Sequence, residues 1–305
     1  MKTPSTTSEG PWTILSLLKW TTTYFTSHDI DNPRSTAEVL LAYALKLKRI
    51  DLYLQYDRPM HTDELASYKA LIKRRAAREP VAYITGTREF WSLDFKVNCH
   101  VLIPRPETEC LVEAALTVMR EGKAGEPQRL LELGTGSGAV VTALANEAPG
   151  HHYFASDISI ETLTVARENS VSLGQAGIQF FVGDWLAPVQ CATACFDLIV
   201  SNPPYISRGG IKDLQPEIHR YEPVRALDGE EDGLGCLRRI ITAAPDCLNP
   251  GGVLLLEIGY GQEEGVAAIA QQTGQYNEVA FDKDYSGIPR VARMGKTAAA
   301  RRNDK

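Results

Sequence analysis

Between Pro11 and Glu79 the apolar residues recur at i, i+3, i+4 and i+7, the spacing of one helix face. Leu40, Leu41, Tyr43, Ala44 and Leu47 form one such face, and Leu65, Tyr68, Leu71 and Ile72 another. Asn32-Pro33 and Pro59 punctuate the helices, and Thr62 followed by Glu64 reads as a helix start. The pattern predicts a small helical bundle over residues 1–80, with nothing catalytic in it. Between Pro80 and Pro106 the texture changes. Phe90, Trp91, Leu93, Phe95 and Val97 alternate or favour strands, with turn-like breaks around Gly86, so residues 81–105 read as a β-hairpin linker.

From Arg129 onward, short β-type runs alternate with helical ones. They are Arg129–Leu133, Ala139–Asn146, Tyr153–Ser156, Glu161–Ser172, Gln179–Val182, Asp197–Ser201, Leu234–Cys247, Gly252–Glu257 and Glu263–Thr273. That rhythm predicts an α/β domain over residues 106–305, a parallel sheet with helices on both faces. Two late runs, Tyr276–Phe281 and Arg290–Met294, predict an antiparallel hairpin at the sheet edge. Residues 1–10 and 296–305 are polar and patternless and are expected to be frayed or disordered.

Composition narrows the class. The chain has 305 residues, 44% hydrophobic and 23% charged, which excludes disordered and fibrous classes. No apolar run approaches the roughly 20 residues of a membrane span, and Trp12–Leu18 is too short, with no cleavage site after it, for a signal peptide. Six cysteines are sparse; Cys191 and Cys195 lack a second ligand pair at zinc spacing, so no metal site and a reducing, cytoplasmic setting are expected. Residues 1–105 carry 15 Lys and Arg against 11 Asp and Glu, a net +4. Residues 106–305 carry 17 against 27, a net −10, which argues against a stable nucleic-acid partner. The cluster Lys73, Arg74, Arg75 and Arg78 reads as a solvated helix face.

Four motifs carry chemistry. Glu132-Leu133-Gly134-Thr135-Gly136-Ser137-Gly138 follows a strand and opens a helix, where open α/β sheets bind nucleotides. Asp157 ends the next strand, where a carboxylate can accept from both ribose hydroxyls. Gly183-Asp184-Trp185 follows the third strand; its acid can accept from an adenine amino group and its indole can stack on the base. Together they indicate an adenosine-containing cofactor, without separating a nicotinamide dinucleotide from S-adenosylmethionine. Asn202-Pro203-Pro204-Tyr205 decides between them. Two prolines force the chain out of the sheet, leaving the Asn202 side-chain oxygen and a proline carbonyl as fixed acceptors beside an aromatic wall. Two acceptors hold a planar –NH2 by both hydrogens, which suits methylation of nitrogen and not hydride transfer.

This order of motifs resembles the class I S-adenosylmethionine-dependent methyltransferases that modify amino or amide nitrogen. Arg78-Glu79-Pro80-Val81-Ala82-Tyr83-Ile84, Glu89-Phe90-Trp91-Ser92-Leu93, Ile103-Pro104-Arg105-Pro106-Glu107-Thr108-Glu109, Tyr221-Glu222-Pro223 and Asp284-Tyr285-Ser286-Gly287 resemble more narrowly the PrmC/HemK family of protein-(glutamine-N5) methyltransferases. The resemblance implies a helical N-terminal domain that recognises substrate and a seven-stranded Rossmann-like catalytic domain. It implies class 1 peptide chain release factors as partners, with the Gly-Gly-Gln glutamine as acceptor. Gly134, Thr135, Gly136, Ser137, Gly138, Asp157, Trp185 and Asn202 would then hold S-adenosylmethionine. Asn202, Pro203, Pro204 and Tyr205 would hold the glutamine, with Asn202 and Pro203 acting in catalysis. Glu230, where the family commonly has glycine, and Pro289, where an acid is frequent, depart from the pattern. The competing readings are an adenine-N6 DNA or RNA methyltransferase, which shares the clamp, and a non-catalytic docking module.

Overall fold

Leucine- and β-branched-rich runs with no polar alternation need cover on both faces, and a central parallel strand provides it. The computed structural model describes residues 11–122, 126–189 and 195–297. Its strands are β1 (Thr87–Phe90), β2 (Leu93–Lys96), β3 (Arg129–Leu133), β4 (His152–Asp157), β5 (Gln179–Val182), β6 (Phe196–Ser201), β7 (Leu248–Glu257), β8 (Tyr276–Lys283) and β9 (Pro289–Lys296). β1 and β2 form a separate antiparallel hairpin, and the other seven make one sheet in the order β5-β4-β3-β6-β7-β9-β8. β3 to β7 pair in parallel, while β9 runs antiparallel to both β7 and β8, as the late hairpin pattern predicts.

The helices are α1 (Ile14–Thr26), α2 (Pro33–Leu45), α3 (Arg49–Leu54), α4 (Thr62–Ala76), α5 (Val81–Thr85), α6 (Glu109–Glu121), α7 (Ala139–Glu147), α8 (Ile160–Ser172), α9 (Pro216–Tyr221), α10 (Gly235–Cys247) and α11 (Glu263–Thr273). Alternation along the strands splits the sheet core in two. Leu130, Leu198, Val200 and Leu255 pack on one face with residues of α6 and α7. Leu131, Leu133, Ile199, Leu254 and Leu256 pack on the other with residues of α10 and α11.

Contacts divide the chain into two compact units, Met1–Gly86 with Pro216–Tyr221, and Thr87–Gln215 with Glu222–Lys305. The division falls at Gly86, so the hairpin goes with the sheet and does not stand alone as a linker. The reason is burial: Phe90 and Phe95 sit in the same apolar cluster as α6 and α7. The hairpin turn, Trp91-Ser92, places both residues at left-handed φ, 53° and 57°. Two successive left-handed residues match the twist of a two-residue hairpin, although glycine or asparagine usually supplies them.

The first unit buries Ile14, Leu18, Phe25, Leu40, Leu41, Leu52 and Tyr68 in its own core, and the Tyr68 hydroxyl donates to the Ala37 carbonyl at 3.0 Å. α4 begins at Thr62 with His61 as its cap; the Glu64 carboxylate accepts from the His61 N–H at 2.9 Å. Two expectations for this unit need correction. Tyr43 is 50% exposed and not on the buried face of α2. Arg75 is 4% exposed, and its guanidinium meets Glu217 of α9 at 2.6 Å, with Arg78 on the other oxygen at 3.0 Å. A buried acid supplied from more than a hundred residues away cannot be read from the charge run of one helix. Residues 1–10 and 298–305 of the expected frayed termini, and Cys191, lie outside the described residues; Lys296 itself ends β9. None of the described cysteines is in a disulfide, and no described helix is long and apolar enough to cross a membrane.

Two polar side chains lock the glycine loop after β3. Glu132, 3% exposed, accepts from the Thr135 hydroxyl at 2.5 Å and the Val141 N–H at 3.2 Å, tying strand, loop and α7 together. Asn169 of α8, with no exposure, donates to the Ser137 carbonyl at 2.9 Å. The same side chain accepts from the Lys96 N–H at 2.8 Å and donates to the Lys96 carbonyl at 3.0 Å.

Burial pushes the Glu132 carboxyl up to about 8 from its ordinary 4.5, against the pull of its two donors. Between those values the folded chain holds a proton that the unfolded chain releases. The stability this gives is whole below about 4.5 and is lost as pH rises through about 8. Glu132→Gln keeps the acceptor and cannot ionise. Thermal unfolding of the native chain is therefore expected to fall more steeply from neutral to alkaline pH than that of Glu132→Gln, by on the order of 3 °C. Parallel curves would mean that the buried carboxyl is already charged at neutral pH.

Candidate active site

β3 and β6 are neighbours in the sheet, but the chain leaves them toward opposite sides, β3 to α7 and β4, β6 toward β7. Such a reversal opens a crevice at the carboxyl ends of the strands. A cavity of about 380 Å³ occupies that place. Gly134, Thr135, Gly136, Ser137, Asp157, Trp185, Asn202 and Pro204 all line it, so residues from four separate segments meet as the motifs predict.

The glycine loop is built for close approach. Gly134 and Gly136 take φ of 67° and 57°, and a Cβ on Gly136 would meet no protein atom within 4 Å. The space that a side chain would fill there belongs to the cavity. Asp157 faces the loop: its carboxylate accepts from the Gly136 N–H at 3.2 Å and the Ser159 N–H at 3.1 Å. Burial pushes this carboxyl above the usual range, and the Ser159 and Gly136 amides and Arg225 oppose the shift. The helix cap is Ser159, which accepts from the Thr162 N–H at 3.2 Å, so Asp157 is not needed as the cap of α8. Each of its oxygens keeps a lone pair for a ligand.

Trp185 stands at left-handed φ, 50°, which turns its indole over Gly134; a Cβ on that glycine would lie 3.4 Å from the ring. The ring also packs on the apolar core, so cavity wall and core residue are one role here. Asp184 lines the cavity beside it.

At the other rim, Asn202 donates through Nδ2 to the Thr108 hydroxyl oxygen at 3.0 Å. No donor among the described residues takes its Oδ1. Pro203 is buried. The carbonyl of Tyr205 accepts from the Gln262 amide at 3.0 Å, and the Ile206 N–H and carbonyl are held by Leu227 and Gly229. Gly229 fits against this turn because a Cβ there would lie 2.8 Å from the Tyr205 Cα.

Three of the residues expected at the site do not line the cavity. Gly138 caps α7, where a Cβ would press on Ala166 at 3.1 Å, so its requirement is helix packing. Pro203 offers only backbone. The Tyr205 ring packs on the core, and its hydroxyl donates to Glu257 at 3.2 Å. Glu230 takes φ 72°, the conformation that glycine adopts at no cost, and its carboxylate is held by Arg239.

Sequence reasoning alone misses the residues that reach this rim from elsewhere. Glu222, 4% exposed, accepts from the Ile103 N–H at 3.1 Å and from Arg105 at 2.5 Å. This joins the Tyr-Glu-Pro and Ile-Pro-Arg segments and sets Pro104 and Arg105 against the cavity. Their only signal was the motif resemblance, since pairing over more than a hundred residues leaves no local pattern. In sum, the cavity offers an acid and a glycine cradle on one side and a directed amide oxygen on the other.

Comparison with known proteins agrees with this geometry. Residues 16–86 match the family model described as PrmC N-terminal domain, and residues 126–294 match that of a methyltransferase domain. A release factor glutamine methyltransferase from Geobacter sulfurreducens is 42% identical over 92% of this chain and 95% of its own. One from Vibrio cholerae is also 42% identical, over 92% and 95%. Among solved structures, the hMettl16 catalytic domain in complex with a MAT2A 3′UTR hairpin shares the fold, with a TM-score of 0.55 and 14% identity over 72% of this chain and 80% of that one. A sheet-borne cavity of this kind, with identity at that level over nearly the whole length of both chains, means that this chain belongs to the release factor glutamine methyltransferase family.

Proposed function

We propose that the chain moves a methyl group from S-adenosylmethionine to the side-chain nitrogen N5 of the Gly-Gly-Gln glutamine in class 1 peptide chain release factors. The observation that carries this is Asn202: it lines the cavity that Asp157 also lines, with its amide nitrogen engaged by Thr108 and its oxygen left for a ligand. Family membership supplies the acceptor class.

Gly134, Gly136, Asp157 and Trp185 fit an adenosine cofactor. The loop leaves room for backbone contact, Asp157 keeps lone pairs for ribose hydroxyls, and Trp185 gives a flat wall. When bound, S-adenosylmethionine supplies an electrophilic methyl group. The remaining work belongs to the protein. An amide nitrogen is a poor nucleophile because its lone pair is spread into the carbonyl. Asn202 Oδ1 and a proline carbonyl of the same turn accept its two N–H groups, which fixes the amide plane. As positive charge builds on that nitrogen, these acceptors are already aimed at it. Fixed partners of this kind lower the barrier by roughly 3–4 kcal/mol. The charged nitrogen is strongly acidic and passes its proton along these same contacts to water, without a dedicated base. The helical first unit takes part in recognising the release factor, in the cytoplasm where these factors act.

Two variants test the two sides of the cavity. Asp157→Ala is expected to weaken S-adenosylmethionine binding about 100-fold in calorimetric titration, the loss of two charge-assisted hydrogen bonds. Its folding stability should drop by only about 1–2 kcal/mol, for the Gly136 and Ser159 amides it leaves. Unchanged affinity would remove Asp157 from the cofactor site.

Asn202→Ala is expected to cut methyl transfer about 10²–10³-fold at saturating cofactor, with the fold intact. Mass spectrometry of a purified release factor, incubated with enzyme and S-adenosylmethionine, reads the methyl at the glutamine. Native turnover in this variant, or no methyl at that glutamine with the native chain, would overturn the proposal.

A further inference from the structure

Beneath the Asn202 rim lies an acid that the reaction as described does not use. Glu257 ends β7 and is 1% exposed. One of its oxygens accepts from the Tyr205 hydroxyl at 3.2 Å, and the other takes no hydrogen bond. An ionised carboxyl buried with one oxygen unpaired costs several kcal/mol. The Thr108 hydroxyl faces the same carboxyl and favours its charged form. Thr108 is itself 5% exposed and accepts from Asn202 Nδ2 at 3.0 Å.

The direction of these contacts follows from counting protons. A hydroxyl has one proton to give. With its oxygen engaged by Asn202, the Thr108 hydroxyl has the unpartnered oxygen of Glu257 to turn its proton to. An ionised carboxylate can only accept, so it takes the Tyr205 proton on one oxygen and leaves the other open to Thr108. Asn202 must then give its NH2 to Thr108 and turn its oxygen away, toward the cavity. A neutral Glu257 removes this constraint. Thr108 could then donate to Asn202 Oδ1, with the amide rotated by half a turn. The cavity would present an NH2 to the substrate's own NH2, donor against donor.

We propose that Glu257, acting through Thr108, is the positioning residue that holds the Asn202 amide with its oxygen toward the acceptor glutamine, so that methyl transfer requires Glu257 to be ionised. The proposal rests on the reading of Asn202 as the acceptor of the glutamine N–H. It also gives work to a segment that the motifs single out, the Pro-Glu-Thr turn that carries Thr108.

The groups facing Glu257 come from several elements. Arg290 on β9 favours its charge, though that guanidinium is shared with Asp284 at 3.0 Å. Glu107, beside Thr108, opposes its charge. Cys110 on α6 feels the same carboxyl, which with burial keeps its thiol protonated. Burial is the largest influence and pushes Glu257 up to about 7. Turnover should therefore rise as pH passes through about 7, as the carboxyl loses its proton.

The test uses the full chain, S-adenosylmethionine and a purified class 1 release factor, with kcat and KM measured across the neutral pH range. Thr108→Val removes the hydroxyl at nearly constant volume. It is expected to lower kcat about 10- to 100-fold, the range for losing the partner that orients a reacting group, with cofactor affinity unchanged. Thr108→Ser restores the hydroxyl and should recover most of the loss. Glu257→Gln should lower kcat and abolish the rise near pH 7. Native kcat in Thr108→Val, equal losses in the Val and Ser variants, or an inflection that survives in Glu257→Gln would each overturn the proposal. If Asn202→Ala is inactive while Thr108→Val is native, the positioning role alone fails; if Asn202→Ala is active, the clamp itself fails.

Discussion

The site depends on one point of divergence. At the ends of β3 and β6 two hydrogen-bonded strands part, and the crevice between them exists because their continuations run to opposite sides of the sheet. Parting strands leave backbone groups without ladder partners, and a buried carbonyl left alone is costly. Here the Ser201 hydroxyl donates to the Leu133 carbonyl at 2.7 Å, closing the seam where the ladder ends. Immediately beyond it, Gly134 bends one chain toward α7 and Asn202-Pro203-Pro204 carries the other out of the sheet. The cradle and the amide clamp are a few residues from the same seam, so their spacing is set by strand pairing and not by loop conformation.

Below that seam the core is apolar; above it, acids take over. Glu132, Glu222 and Glu257 are each under 5% exposed, and each sits under a loop at the cavity end of the sheet. A carboxyl group, ionised or not, has lone pairs enough to accept from several donors at once, which suits it to gathering the hydrogen bonds of the loops around it. Glu132 collects the glycine loop, Glu222 the Ile-Pro-Arg segment, and Glu257 the turn around Asn202. Apolar packing of equal volume would be no less stable in general, but it could not orient hydroxyls and amides.

Much of this was legible in the sequence. The boundaries of β3, β5 and α11 coincide with the predicted runs, and others differ by a few residues, because buried parallel strands and their covering helices have strong, distinct periods. The glycine loop, Asp157 and Asn202 were legible because each needs a residue type that ordinary loops do not. What stayed hidden was tertiary. The Trp91-Ser92 turn lacks the usual glycine or asparagine, and its left-handed pair is held in place by the burial of Phe90 and Phe95. Glu217, Glu222 and Glu257 look like ordinary surface acids until the fold brings Arg75, Arg105 and Thr108 to them. Tyr205 reads as a cavity wall from its place beside two prolines; only the position of Glu257 shows where its hydroxyl goes.

Asn169 has a consequence that reaches beyond packing. One carboxamide holds the Ser137 carbonyl of the glycine loop and both backbone groups of Lys96 at the end of the β1–β2 hairpin. Loop and hairpin thus share an anchor, and neither can open without loosening the other. Linkage is reciprocal: whatever stabilises one must stabilise the other by the same free energy. A ligand that settles on the glycine loop should therefore slow amide hydrogen exchange in a hairpin whose strands it never touches. Local openings that begin at the hairpin should in turn count against the affinity of the cradle.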